Sequence, residues 1–180
     1  MKYIQFFSCI LLLIVLSACQ GSSPRDHMRQ LEADYEKARK LLVKENYPKA
    51  MQVLRGCAEK GHGGCAQTLG AAYYSGRWVS FDLEEAIRWH TVAYQSGLSN
   101  DFAGVYGAIS LATIMCDTRH LQGGYSKHRY WIQRAKALLQ NLEASRSRMP
   151  SKTEIAFTAL FKNIAYMEST ITTRNCNANS

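Results

Sequence analysis

"CAQTLGAAYYSGRWVSFDLEEAIRWHTVAYQSG", Cys65 to Gly97, holds two helix-length segments joined by a short link. The first begins at about Gly64 and stops at Gly76, a residue that closes helices because it adopts positive φ without a Cβ clash. The second opens with Asp82 as N-cap and Glu85 three residues later, a variant of the capping box, and closes at Gly97. The stretch predicts a pair of helices.

The same signals extend in both directions. Leu31, Tyr35, Ala38 and Leu42 fall on one face of a helix ending near Glu45. Pro48, suited to a first helical position, restarts the chain, and Gly61 stops it. Further helices are predicted over about 101–115 and 126–144, and from Ser151, backed by Glu154, to about Thr170. No segment sustains the two-residue alternation of a half-buried strand, so the chain reads as all-α. The helices also repeat. Ala50 and Ala86, Val53 and Trp89, Cys57 and Ala93, and Gly61 and Gly97 recur at one interval, from 50 to 86. A longer interval carries Trp89 to Trp131 and Ala93 to Ala135. Fixed-period helix pairs indicate an α-solenoid, in which each pair buries its apolar stripe against the next.

Ala66, Leu69, Gly70, Tyr73 and Gly76, followed by Asp82, Ala86, Ile87, Trp89, Ala93 and Gly97, resemble the Sel-one-like repeat, a relative of the tetratricopeptide repeat. The resemblance implies a short α-solenoid of antiparallel helix pairs, about three repeats and a C-terminal helix, over residues 28–172. The pair at 31–61 matches in its second half. The pair at 101–140 departs at His128, where the small alanine would stand, and at Leu139, where the closing glycine would stand. A terminal repeat, with one face toward solvent, tolerates such changes. A cysteine-rich, secreted branch of that family links one repeat to the next through two cysteines eight positions apart. That resemblance implies a disulfide between Cys57 and Cys65, and the glycine-rich turn His62-Gly63-Gly64 suits the reversal it needs. The rival chemistries are weaker. Cys57, His62 and Cys65 offer three metal donors without the usual zinc spacing, and there is no Cys-x-x-Cys, so no metal site is expected.

The N-terminus bears on whether disulfides form at all. Lys2 precedes an apolar run, Ile10 to Leu16, and Leu16-Ser17-Ala18-Cys19 looks like the lipobox of a bacterial lipoprotein. On that reading 1–18 is a signal peptide, Cys19 carries the lipid, and 19–27 is a linker. Acyl chains hold the protein on a membrane it does not span, each buried methylene adding about 0.8 kcal/mol. Gln20 is not the aspartate that favours inner-membrane retention in lipoproteins, so the periplasmic face of the outer membrane is expected. Four cysteines then remain, Cys57, Cys65, Cys116 and Cys176, in an oxidising compartment. Sequence leaves three connectivities open. With Cys57 and Cys65 paired, elimination puts Cys116 with Cys176, against a free or intermolecular Cys176 in the polar tail 173–180.

The chain has 180 residues, 47% hydrophobic, with a formal charge of +8, enough for one domain with a core and too apolar for disorder over most of its length. On an envelope protein a basic balance points to anionic headgroups or an acidic partner surface; nucleic acid is not expected. Catalytic signals are absent from the pattern: there is no Gly-x-Ser-x-Gly, no His-Glu-x-x-His and no P-loop. Glu84-Glu85 suits a helix first turn, His90 a packed ring, and His120 and His128 a solvated loop. No enzyme activity and no cofactor are expected. Tyr74, Arg77 and Trp78, beyond the core positions Tyr73 and Trp89, are the candidate partner-binding residues, since aromatic side chains and arginine dominate interface hot spots. The resemblance implies an adaptor for an envelope or secretion-machinery protein. The alternative is an envelope protein that binds cell-wall fragments or β-lactam-like ligands.

Overall fold

The computed structural model describes residues 23–96, 102–117, 124–144 and 154–173. Cys19, Gly97, His120, Ser151 and Cys176 lie outside the described residues, as does the segment read as a signal peptide. Every described element is helical: α1 Pro24–Val43, α2 Tyr47–Glu59, α3 Gly63–Ser75, α4 Leu83–Ser96, α5 Phe102–Asp117, α6 Gly124–Ala144 and α7 Glu154–Thr173. The all-α reading is correct. Among the described residues no helix is long and apolar enough to cross a membrane.

Contacts divide the chain at Gln30–Leu31 into two units. The described part of the first is the opening of α1, where the Asp26 backbone N–H donates to Ser23 Oγ at 3.2 Å. Helix therefore begins inside the expected linker, at Pro24, because Ser23 caps it and proline needs no N–H partner there.

In the second unit consecutive helices pack against one another from α2 to α7, with α3 also reaching α5, the order of a short helical-repeat solenoid. Local chemistry sets the corners. Helix α1 ends with Glu45 in the left-handed region, φ 58°, and the Asn46 N–H donating to the Leu41 carbonyl at 2.9 Å. Helix α2 starts at Tyr47 with Pro48 in its first turn, and Gly61, φ 94°, turns the chain after it. Gly76, φ 64°, closes α3 by donating to the Ala72 carbonyl. Asp82 caps α4 as expected, accepting the Glu85 N–H at 3.0 Å. The Glu85 carboxylate turns away from the cap and accepts from Trp89 Nε1 at 2.8 Å and from Arg88.

Small residues set the helix spacing. The recurring alanines at 50, 86, 93 and 135 are wholly buried. A Cβ on Gly107 would stand 2.7 Å from the Tyr94 backbone nitrogen and 2.8 Å from the His90 carbonyl oxygen, so α5 lies directly on the α4 backbone. A Cβ on Gly70 would meet the His90 ring at 2.7 Å. His90 is the packed ring expected: its Nδ1 donates to Gln67 Oε1 at 2.9 Å, and burial lowers its pKa to about 4, so the ring is neutral. Gln67 Nε2 in turn donates to Ser110 Oγ at 3.0 Å, tying α3 and α4 to α5.

His128 is a correction. Expected in solvent, it is 1% exposed, and its Nδ1 donates to the Ala112 carbonyl at 2.7 Å. It occupies the packing position that alanine fills in the preceding pair, so the helix periodicity outweighs its polar character.

Replacing Gly107 with alanine should cost about 1–3 kcal/mol by overpacking against a backbone that cannot rotate away. Gly56→Ala, in α2 with nothing near its added Cβ, should be stabilising by about 0.5–1 kcal/mol. Denaturant melts of the two variants check this; equal effects would contradict close α4–α5 contact.

Candidate functional site

Two regions gather chemistry: the α2–α3 corner, and a cleft between the corners that end α1 and α3. The α2–α3 corner is closed by the expected disulfide, Cys57–Cys65, with Cα atoms 6.0 Å apart. Both cysteines are buried. Cys57 Sγ lies 3.5 Å from the Leu31 carbonyl oxygen, so the bridge also touches α1.

His62 does more here than the glycine-rich turn suggested. It is the N-cap of α3, and its Nδ1 accepts the Cys65 backbone N–H at 3.2 Å. A backbone N–H can only donate, so Nδ1 is unprotonated and the ring proton sits on Nε2. From there it donates to Glu32 Oε2 of α1 at 3.1 Å. The ring packs on Tyr35, centroids 5.2 Å apart. Glu32 is the partner that sequence reasoning missed, since nothing in a glutamate on a polar helix face signals a histidine from the next repeat.

The cleft has a volume of about 600 Å³ and is lined by the end of α1, by Tyr47, and by Arg77 and Trp78. Trp78 stacks on Tyr47 at 6.4 Å between centroids, with 21° between the ring planes. The Arg77 guanidinium sits 5.7 Å from the Trp78 centroid, a cation–π contact. Val43, 85% exposed, extends the apolar surface. Arg39, Lys40, Lys44 and Arg77 rim it; Arg39 is paired with Glu36 at 2.7 Å, and Glu45 is the other acidic residue of the lining. The cleft is apolar at its floor and cationic at its edge.

The three candidate binding residues are therefore separated. Arg77 and Trp78 share the cleft, joined by Tyr47, whereas the Tyr74 hydroxyl is hydrogen-bonded to Asp117 of α5 and is not part of the lining. Burial first, and that contact second, hold the Tyr74 hydroxyl above the usual tyrosine range. Tyr73 and Trp89 are structural, as read. Tyr73 OH accepts from Arg55 at 2.5 Å, and the guanidinium groups of Arg55 and Arg88 both make cation–π contacts with the Trp89 ring. Cys116 is buried and disulfide-bonded; Cys176, its expected partner, lies outside the described residues.

A second, smaller cleft of about 440 Å³ opens beside His62, lined by Glu32, Tyr35, Gln67, Phe102 and Tyr106 from α1, α3 and α5. Glu32 is the one carboxylate of its lining, which holds no lysine or arginine, so it contrasts in charge with the cationic cleft.

Cys65→Ser should lower stability by about 2–3 kcal/mol under oxidising conditions, because the bridge restricts the unfolded chain only over a short loop. An unchanged melting temperature would show that the bridge is not the staple of this corner. Comparisons with protein-family models, with curated proteins and with solved structures find no match.

Proposed function

We propose that this protein is a lipid-anchored adaptor of the bacterial envelope that holds a partner protein on the Tyr47–Trp78 ledge. The carrying observation is the ledge itself: two stacked rings and a guanidinium that line an open cleft at the corners ending α1 and α3. Core aromatics such as Trp89 are buried among their own repeat, whereas Trp78 stays half-buried beside open space. Tryptophan, tyrosine and arginine next to a pocket are the residue types that anchor interfaces.

The rim narrows the partner's chemistry. Lys40, Lys44 and Arg77 outnumber Glu45, once Arg39 is set against Glu36. A partner segment with an apolar anchor flanked by carboxylates matches both floor and edge. Residues Leu16 to Cys19 and the run before them support export and lipidation, and Gln20 supports the outer membrane, periplasmic face. The Sel-one-like resemblance of residues 66–97 supports an adaptor role in the same way.

The test replaces Trp78 with a photo-crosslinking residue in the full-length chain and irradiates intact envelopes. One protein should be captured at this position, and Arg77→Glu should reduce the yield at least about tenfold, a change worth about 1.4 kcal/mol. Capture of cell-wall glycan with no protein would overturn the adaptor reading in favour of ligand binding. Cys19→Ser should move the chain from membranes to the soluble fraction; retention on membranes would overturn the lipid anchor.

A further inference from the structure

The α2–α3 corner holds more ligand chemistry than a structural disulfide uses. Cys57 Sγ, Cys65 Sγ and a ring nitrogen of His62 all lie within 4.8 Å of one another, and all three residues are buried. Tetrahedral zinc, with Zn–S about 2.3 Å and Zn–N about 2.0 Å, requires donor separations of roughly 3.5–3.8 Å. The corner is within small side-chain movements of that arrangement once the sulfurs are unbonded.

His62 is already in the form a metal needs. Its Nδ1 is unprotonated, because it accepts the Cys65 N–H at 3.2 Å, and its Nε2–H is directed at Glu32. A carboxylate on the far nitrogen fixes the ring and raises ligand basicity, the usual second partner of a metal-bound histidine. Tyr35 holds the ring from one face. Cys65 lies in the first turn of α3, at the positive end of the helix dipole. Linear spacing conceals this site, since the orienting carboxylate comes from α1.

We propose that the Cys57–His62–Cys65 corner, when reduced, is a zinc site oriented by Glu32, and that metal and disulfide are alternative closures of the same turn. The chemistry balances. A dithiol reduces the Cys57–Cys65 bond by exchange and itself becomes a disulfide, leaving two protein thiols. Zinc then binds Cys57 Sγ, Cys65 Sγ and His62 Nδ1, whose lone pair passes from the Cys65 N–H to the ion; both thiol protons pass to solvent, and water completes the tetrahedron. Exchange with a small-molecule disulfide re-forms the Cys57–Cys65 bond, reduces that disulfide to two thiols with two protons taken from solvent, and releases the ion.

The test uses the full chain, oxidised and dithiothreitol-reduced, the reductant removed anaerobically, with Zn²⁺ and Co²⁺ as probes. The reduced chain should bind one ion, and its cobalt form should show thiolate-to-cobalt charge transfer with the visible bands of a tetrahedral centre. The oxidised chain should bind none. His62→Ala and Glu32→Gln should each weaken zinc binding by about 10–100-fold. The proposal is overturned if the reduced chain binds no ion, if both redox forms bind equally, or if cobalt shows no thiolate band. It is also overturned if reduction unfolds the chain, followed by circular dichroism, and zinc fails to restore helicity.

Discussion

The reversal between α2 and α3 is the constraint on which the N-terminal pair depends. Within a few residues the chain leaves one helix, passes through Gly61 at positive φ, and enters the next with His62 as its cap. Cys57 and Cys65 close that turn covalently, and the same corner seats α1, through Leu31 against Cys57 and Tyr35 against His62. The buried positions of α1, Leu31 and Ala38, also belong to a cluster shared with α2, α3 and α4, and Glu32 is bonded to the corner histidine.

Beyond the corner, stability passes from helix to helix. One cluster joins α1 to α4; a second joins α5, α6 and α7 through Val105, Ile132, Leu139 and Leu160. They meet where α5 lies on α4 at Gly107, and where Tyr94 of α4 packs edge-on against Trp131 of α6 at 5.1 Å. Such a stack is held by nearest-neighbour interfaces. Tyr47 stands at the α1–α2 corner and Trp78 at the α3–α4 corner, and there the two rings stack although far apart in the chain.

Much of this was legible in residue order. Glycines at positive φ, Pro48 and Asp82 mark helix ends because each is a local, backbone-level requirement, and the buried alanines recur because helix pairs must approach closely. The Cys57–Cys65 bridge followed from resemblance and a short turn. What was not legible depends on side chains meeting across repeats: Glu32 on His62, Tyr47 on Trp78, Tyr74 on Asp117. His128 shows the same limit from the other side, since a polar residue in a loop-like stretch was buried by the periodicity of its own helix. Glu85 kept its place in the first turn of α4 and lost its expected role, because Trp89 one turn on offers its carboxylate a buried N–H.

Hydrogen exchange on the oxidised chain and on its Cys57→Ser, Cys65→Ser double variant, which leaves the Cys116 disulfide in place, tests the central claim most directly. If the corner holds the N-terminal pair, opening the Cys57–Cys65 bond should strip protection from amides of α1 and α2 first and leave those of α5 and α6 near their oxidised values. Equal loss of protection across all the helices, or none in α1 and α2, would contradict it.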